Sequence, residues 1–230
     1  KRFPDRKFIL GGVGAMEIER QVLERTPEID AVHRGEGERS MPLLVRALLD
    51  GAPLDGVPGV FYRKNGAVAQ NPPAPRVTDL DSLPAPAYGG LDFTRYEGHN
   101  ILGSRGCPYP CTFCSIAPVW GRTAYSRSAR SIVEEMARLN REHGVRQFLF
   151  QDEYFISSPA RAKEFAALLG KSGIDITYKA FARVDLVDDE SLRALADSGC
   201  MEIRFGVESA SDEVLARIRK GFDSNTALKV

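Results

Sequence analysis

The hydrophobic positions of this chain fall into short apolar runs that alternate with amphipathic stretches. Lys7-Phe8-Ile9-Leu10-Gly11-Gly12 reads as a short buried strand ending in glycines. Residues 15–25 read as a helix, with Met16, Glu19 and Leu23 in or near one row, and residues 30–35 as a second strand. Gly35-Glu36-Gly37-Glu38 then opens a helix that carries Leu43, Leu44, Val45, Leu48 and Leu49. This β-α-β-α order predicts part of a parallel, doubly wound sheet. Further on, Val60, Tyr62 and Val68 alternate around Asn65-Gly66, a dipeptide that favours the type I′ hairpin turn. After the hairpin, Asn71-Pro72-Pro73-Ala74-Pro75 and Leu83-Pro84-Ala85-Pro86-Ala87-Tyr88 are proline-rich and extended. That stretch reads as a spacer, with Tyr88 and Tyr96 as candidates to line an interface.

From residue 100 the pattern becomes a repeat. Strands are expected over 100–103, 147–152, 174–180 and 201–207, and helices over 132–143, 159–170, 190–198 and 212–220. The last three strands recur about every 27 residues, one β-α unit each. Ser131-x-x-Glu134 reads as a capping box and Gly144 as a helix stop. Ile132, Val133, Met136 and Leu139 form one apolar stripe to pack on the sheet. Successive β-α units on a parallel sheet curl toward a barrel. The expected organisation is residues 1–50 as a partial domain, 51–98 as hairpin and linker, and 99–230 as the repeat.

Composition narrows the class. The chain is 43% hydrophobic and 27% charged, as globular domains are, and its 31 basic and 31 acidic residues balance. No basic excess points to nucleic acid. No apolar run reaches the roughly 18 to 20 residues of a membrane helix. Lys1-Arg2-Phe3-Pro4-Asp5-Arg6 carries no signal-peptide core. A start without Met beside a strand, and an end in a helix, predict a fragment at both ends.

Three of the four cysteines, Cys107, Cys111 and Cys114, fall in the run Ser104-Arg105-Gly106-Cys107-Pro108-Tyr109-Pro110-Cys111-Thr112-Phe113-Cys114. Clustered cysteines in a long, non-secreted chain read as metal-binding and imply a reducing cytoplasm. Closed zinc sites and iron–sulfur clusters normally take four protein ligands, so three with no obvious fourth point to an open coordination position. Polar residues also gather after the later strands: Gln151-Asp152-Glu153-Tyr154, then Arg183 and Asp185, then Glu208 and Ser209. Ligands of parallel α/β sheets bind at these carboxyl ends.

C-x3-C-x2-C with an aromatic residue before the last cysteine resembles the signature of radical S-adenosylmethionine (SAM) enzymes. The flank Ile101-Leu102-Gly103-Ser104-Arg105-Gly106-Cys107-Pro108-Tyr109 is similar to the branch that carries a cobalamin-binding domain ahead of the core. The resemblance implies an α/β chain. A partial (β/α) radical-SAM barrel, about four of six units, would follow the C-terminal half of a Rossmann-like cobalamin-binding domain. It implies a [4Fe–4S] cluster on Cys107, Cys111 and Cys114, whose open iron binds SAM and cleaves it to a 5′-deoxyadenosyl radical. Phe113 would lie beside the adenine. Asp152 or Glu153 would receive the SAM amino group, although the family's usual Gly-Gly-Glu is replaced here and which carboxylate acts is open. Glu208 and Ser209 would reach the ribose hydroxyls, and Arg183 would pair with the SAM carboxylate. Gly11 and Gly12 would let the backbone approach the cobalamin tail.

Each residue also has a plainer reading. Asp152 and Glu153 fit a helix cap or surface turn, Arg183 a salt bridge to Asp185, Glu208 a cap for the next helix, and Gly11-Gly12 an ordinary strand-to-helix turn. His33 reads as structural, Cys200 as a small buried apolar residue, and Trp120 and Arg122 as packing over the loop. The resemblance further implies a small-molecule substrate, cobalamin-dependent methyl transfer or oxidative cyclisation, and a reductant such as flavodoxin or ferredoxin. A methylthiotransferase-like enzyme is the near alternative, weakened by the lack of cysteine in residues 1–99. An iron–sulfur electron carrier and a zinc-stabilised module are alternatives of other classes.

Overall fold

The computed structural model describes residues 3 and 5–230. Lys1, Arg2 and Pro4, part of the N-terminal stretch read above, lie outside the described residues. The chain divides into two compact units, Lys1–Thr78 and Asp79–Val230.

In the first unit the elements run β1 (Ile9–Leu10), α1 (Glu19–Arg25), β2 (Ala31–His33), α2 (Gly37–Asp50), β3 (Val60–Lys64) and β4 (Ala67–Gln70). The strands form one sheet in the order β1-β2-β3-β4. β1 pairs with β2 in parallel, and the hairpin joins as two antiparallel strands. Asn65 and Gly66 both hold positive φ, 52° and 82°, as a type I′ turn requires. Successive strand residues point to opposite faces. Val32 and Phe61 therefore pack with Leu23 of α1, while Ala31, Val60 and Tyr62 pack with Leu44 of α2. A helix thus covers each face, as in a doubly wound sheet. The hairpin expected within the connecting stretch extends this sheet, and residues 79–98 lie with the second unit.

The second unit contains β5 (His99–Ile101), β6 (Ser104–Arg105), α3 (Ile116–Trp120), β7 (Tyr125–Ser126), α4 (Ala129–His143), β8 (Gln147–Phe150), α5 (Pro159–Lys171), β9 (Thr177–Ala182), α6 (Asp189–Asp197), β10 (Cys200–Phe205), α7 (Asp212–Arg217) and α8 (Ser224–Lys229). Among the described residues β10-β9-β8-β5 form a four-stranded sheet, parallel throughout. These are the expected β-α units of a partial barrel.

The apolar stripe of α4 is buried as predicted, with Ile132, Met136 and Leu139 sealed against the sheet. Phe150 and Phe155 stack with centroids 3.7 Å apart, and the edges of Phe165 and Tyr178 meet Phe150 at 5.6 and 5.9 Å. Each such side chain contributes about 1.5–3 kcal/mol on burial. The cap of α4 differs from the expectation. Ser128, not Ser131, is the N-cap, accepting from Ser131 N at 3.1 Å. Asp81 accepts from Ser128 N at 3.0 Å, so a contact distant in sequence places the helix start one turn earlier. Gly144 closes the helix with φ 68°. No helix of the described residues is long and apolar enough to cross a membrane.

Candidate metal centre

β5 runs toward its carboxyl end and hands the chain to a loop over residues 106–124 that carries the three cysteines. The loop is closed at its neck. β6 and β7 pair antiparallel, Ser104 with Ser126 and Arg105 with Tyr125. Gly106, at φ 88°, lets the backbone approach so closely that a Cβ there would meet Thr123 O at 2.4 Å. Arg161 ties the neck to the barrel, donating to Phe155 O at 2.9 Å and to Arg127 O at 2.8 Å. Thr112 N donates to Ile218 O at 3.0 Å, which fastens the cysteine segment to the end of α7.

The thiols share one environment. Burial pushes the Cys107 thiol up, and Cys114 and Cys111 push the same way, while the Tyr109 N–H and the Arg183 guanidinium oppose them. Cys200 stands apart. It begins β10, at the amino end of a strand parallel to the others, and its thiol donates to Glu202 O at 3.6 Å.

Asp152 sits at the end of β8 but faces inward, 2% exposed. Its carboxylate accepts from Gly103 N at 3.0 Å and from Ser104 Oγ at 2.6 Å, so it pins the turn that leads into the cysteine loop. Burial raises its pKa to about 6, against those two hydrogen bonds. Glu153 beside it is exposed. The fork of Arg183, expected for a SAM carboxylate, is taken by Asp185, the plainer reading kept open above: Nε and Nη2 each donate at 2.9 Å. Glu208 follows β10 in the left-handed region, φ 75°, and accepts from Lys220 Nζ at 3.2 Å. Ser209 Oγ accepts from Ser211 N at 3.1 Å. Phe113 is 54% exposed. Its ring lies 5.6 Å from Lys220 Nζ. Gly11 and Gly12 end β1 in the first unit, where Gly12 has φ 83° and no atom within 4 Å of an added Cβ.

The structure therefore brings Cys107, Cys111, Cys114, Phe113, Arg183 and Glu208 into one neighbourhood of the second unit. It adds residues that sequence reasoning missed. Lys220 is 6% exposed and cationic, and the Tyr109 ring lies under Arg183 with 3.5 Å from guanidinium carbon to centroid. Lys220 follows a helix rather than a strand, so a search of strand ends passes over it. In the structure left-handed residues flank it, Arg219 at φ 55° and Gly221 at φ 87°, and of these the sequence hints only at the glycine.

The model of the Radical SAM superfamily matches residues 101–230, and the chain belongs to that superfamily. It is 34% identical over 218 residues to an uncharacterized methyltransferase of Pyrococcus horikoshii, covering 93% of this chain and 48% of that protein. It is 29% identical over 234 residues to the anaerobic magnesium-protoporphyrin IX monomethyl ester cyclase of a Synechocystis species, covering 98% of this chain and 46% of the relative. Among solved structures it superposes on the cobalamin-dependent S-adenosylmethionine radical enzyme OxsB, with aqua-cobalamin and S-adenosylmethionine bound, at a TM-score of 0.80 and 25% identity. That match covers 95% of this chain and 33% of OxsB. The chain spans about half the length of the curated relatives it matches.

The donor set can be tested against the cluster that this family uses. Among the described residues no three His, Cys, Asp or Glu side chains surround a single-ion position. Thiolates on one tetrahedral ion, each about 2.3 Å from it, must nearly touch one another. A cluster of several irons spreads its thiolates more widely. Three soft donors on one stapled loop suit the thiolate ligation that an iron–sulfur cluster takes. At Gly12 the φ is one that favours glycine, and the space beside it is open.

Proposed function

We propose that the full protein is a cobalamin-dependent radical SAM enzyme that transfers a methyl group to a small organic substrate, and that this chain supplies its cluster cradle. One observation carries the reading. The three thiols sit together on a loop stapled at the carboxyl end of a parallel sheet, and the fourth cysteine lies at the other end. Three ligands leave one position open for SAM. Bound there, the cluster would supply the electron that cleaves SAM, and cobalamin would carry the methyl group.

The chain's own residues would do the binding. The exposed ring of Phe113 is free to lie against the adenine. Lys220 is the buried cation beside it, and its ammonium has donors beyond the one given to Glu208, so it suits the SAM carboxylate. Glu153 suits the SAM amino group, because both oxygens of Asp152 are engaged. Glu208 and Ser209 would reach the ribose hydroxyls. Gly11 and Gly12 would let the backbone approach the cobalamin tail, and the space beside Gly12 is open. A cytoplasmic reductant such as flavodoxin or ferredoxin would deliver the electron. The likeness to magnesium-protoporphyrin ester cyclases supports oxidative ring formation as the second reading.

The test is anaerobic reconstitution of the full-length protein with iron and sulfide, reduction, and assay of 5′-deoxyadenosine release from SAM. Release that disappears in Cys111→Ala, with cobalamin retained on gel filtration, is expected. A cluster-loaded protein that leaves SAM intact refutes the radical reading. Cleavage without cobalamin retention refutes the cobalamin part.

A further inference from the structure

Every nitrogen of the Arg183 guanidinium is already engaged within the chain. Nε and Nη2 donate to the two oxygens of Asp185 at 2.9 Å each, and Nη2 also donates to Lys220 O at 2.6 Å. Nη1 donates toward Cys111 Sγ at 4.0 Å. One face of the group is covered by the Tyr109 ring at 3.5 Å, and the Phe222 ring lies at 5.2 Å. The residue is 7% exposed. A guanidinium can grip a carboxylate through either of two edges: Asp185 takes the Nε–Nη2 edge, and the Nη2 bond to Lys220 O uses the donor that the Nη1–Nη2 edge would need.

We infer that Arg183 is a positioning residue of the cysteine loop that holds a fixed positive charge against the Cys111 sulfur, and that it does not bind the SAM carboxylate. The inference rests on the cluster reading above. Its mechanical part follows from the contacts. The guanidinium joins three segments that are far apart in sequence: Tyr109–Cys111 of the loop, the end of β9, and Lys220 beyond α7. Its electrical part follows from charge. Hydrogen bonds to cluster sulfurs and the local net charge set iron–sulfur potentials. A cation beside a ligating sulfur favours the more negative, reduced cluster and raises its potential. Asp185 offsets part of that charge, so the pair acts as two opposed levers. Removing Arg183 leaves an unpaired carboxylate near the loop and lowers the potential. Removing the Asp185 charge leaves the arginine unopposed and raises it.

The experiment is an EPR-monitored redox titration, without SAM, of the anaerobically reconstituted full-length protein, together with equilibrium SAM binding. Arg183→Gln is expected to make cluster reduction about tenfold less favourable, about 59 mV lower for a one-electron couple, with SAM affinity changed less than about twofold. Asp185→Asn is expected to shift the potential the other way. A wild-type potential in Arg183→Gln, or a tenfold loss of SAM affinity in it, overturns the inference. If Arg183→Gln takes up no iron, Asp185→Asn decides: an upward shift supports the inference, and an unchanged or lower potential overturns it. A wild-type protein that takes up no cluster sinks the proposed function first, and is seen before any variant is compared.

Discussion

Asp152 gives a prediction that needs no cofactor. Its carboxylate is buried under the turn into the cysteine loop, and burial lifts its pKa from an ordinary 3.8 to about 6. At 1.36 kcal/mol per pH unit, that shift is about 3 kcal/mol of preference for the protonated form in the folded state. The folded state therefore binds the proton more tightly than the unfolded state, and stability falls as pH rises between about 4 and 6. Asp152→Asn keeps an acceptor for Gly103 N and removes the titration. Relative to this variant, the wild-type apo protein should gain about 1.4 kcal/mol of stability when the pH is lowered from 7.5 to 5. Urea unfolding of both proteins at both pH values measures it, because the difference between them cancels the other titrating groups. A flat difference, or a wild type that loses ground at pH 5, would show that the carboxylate is not held in the buried geometry described.

Three further outcomes are expected. Gly103→Ala places a Cβ 2.7 Å from the Phe155 ring and 3.1 Å from Ile132, so it should destabilise by about 1–3 kcal/mol in the same unfolding assay. Tyr88→Phe removes the phenol that donates to Glu135, a buried acid also bound by Arg127, and should cost about 1–3 kcal/mol without lowering iron uptake. Cys200→Ser should leave iron and sulfide content unchanged on reconstitution, whereas Cys107→Ser should lower both.

Much of this molecule is local, and what is local could be read along the chain. The cysteine signature spans a few residues, so its spacing alone puts three thiols on one loop. The pairing of the β3-β4 hairpin, the left-handed pair Asn65-Gly66 and the stop at Gly144 each depend on neighbours within a turn or a strand. The recurrence of β-α units implied a parallel sheet, and with it the end at which ligands sit. These features survive because backbone sterics and side-chain periodicity act over few residues.

The tertiary structure decided which polar groups face the thiols, since its contacts join residues dozens of positions apart. Asp152 and Glu153 are adjacent and chemically alike, yet one is sealed against Gly103 and Ser104 and the other faces solvent. Arg183 could have bound a ligand or a neighbour, and the approach of Tyr109, Cys111 and Lys220 is what saturates it. Lys220 entered the site only because the chain beyond α7 returns to the loop, where Ile218 O accepts from Thr112 N. Spacing set the thiols, but burial and charge around them depend on strand register and on how the helix ends pack. Those are properties of the folded chain as a whole.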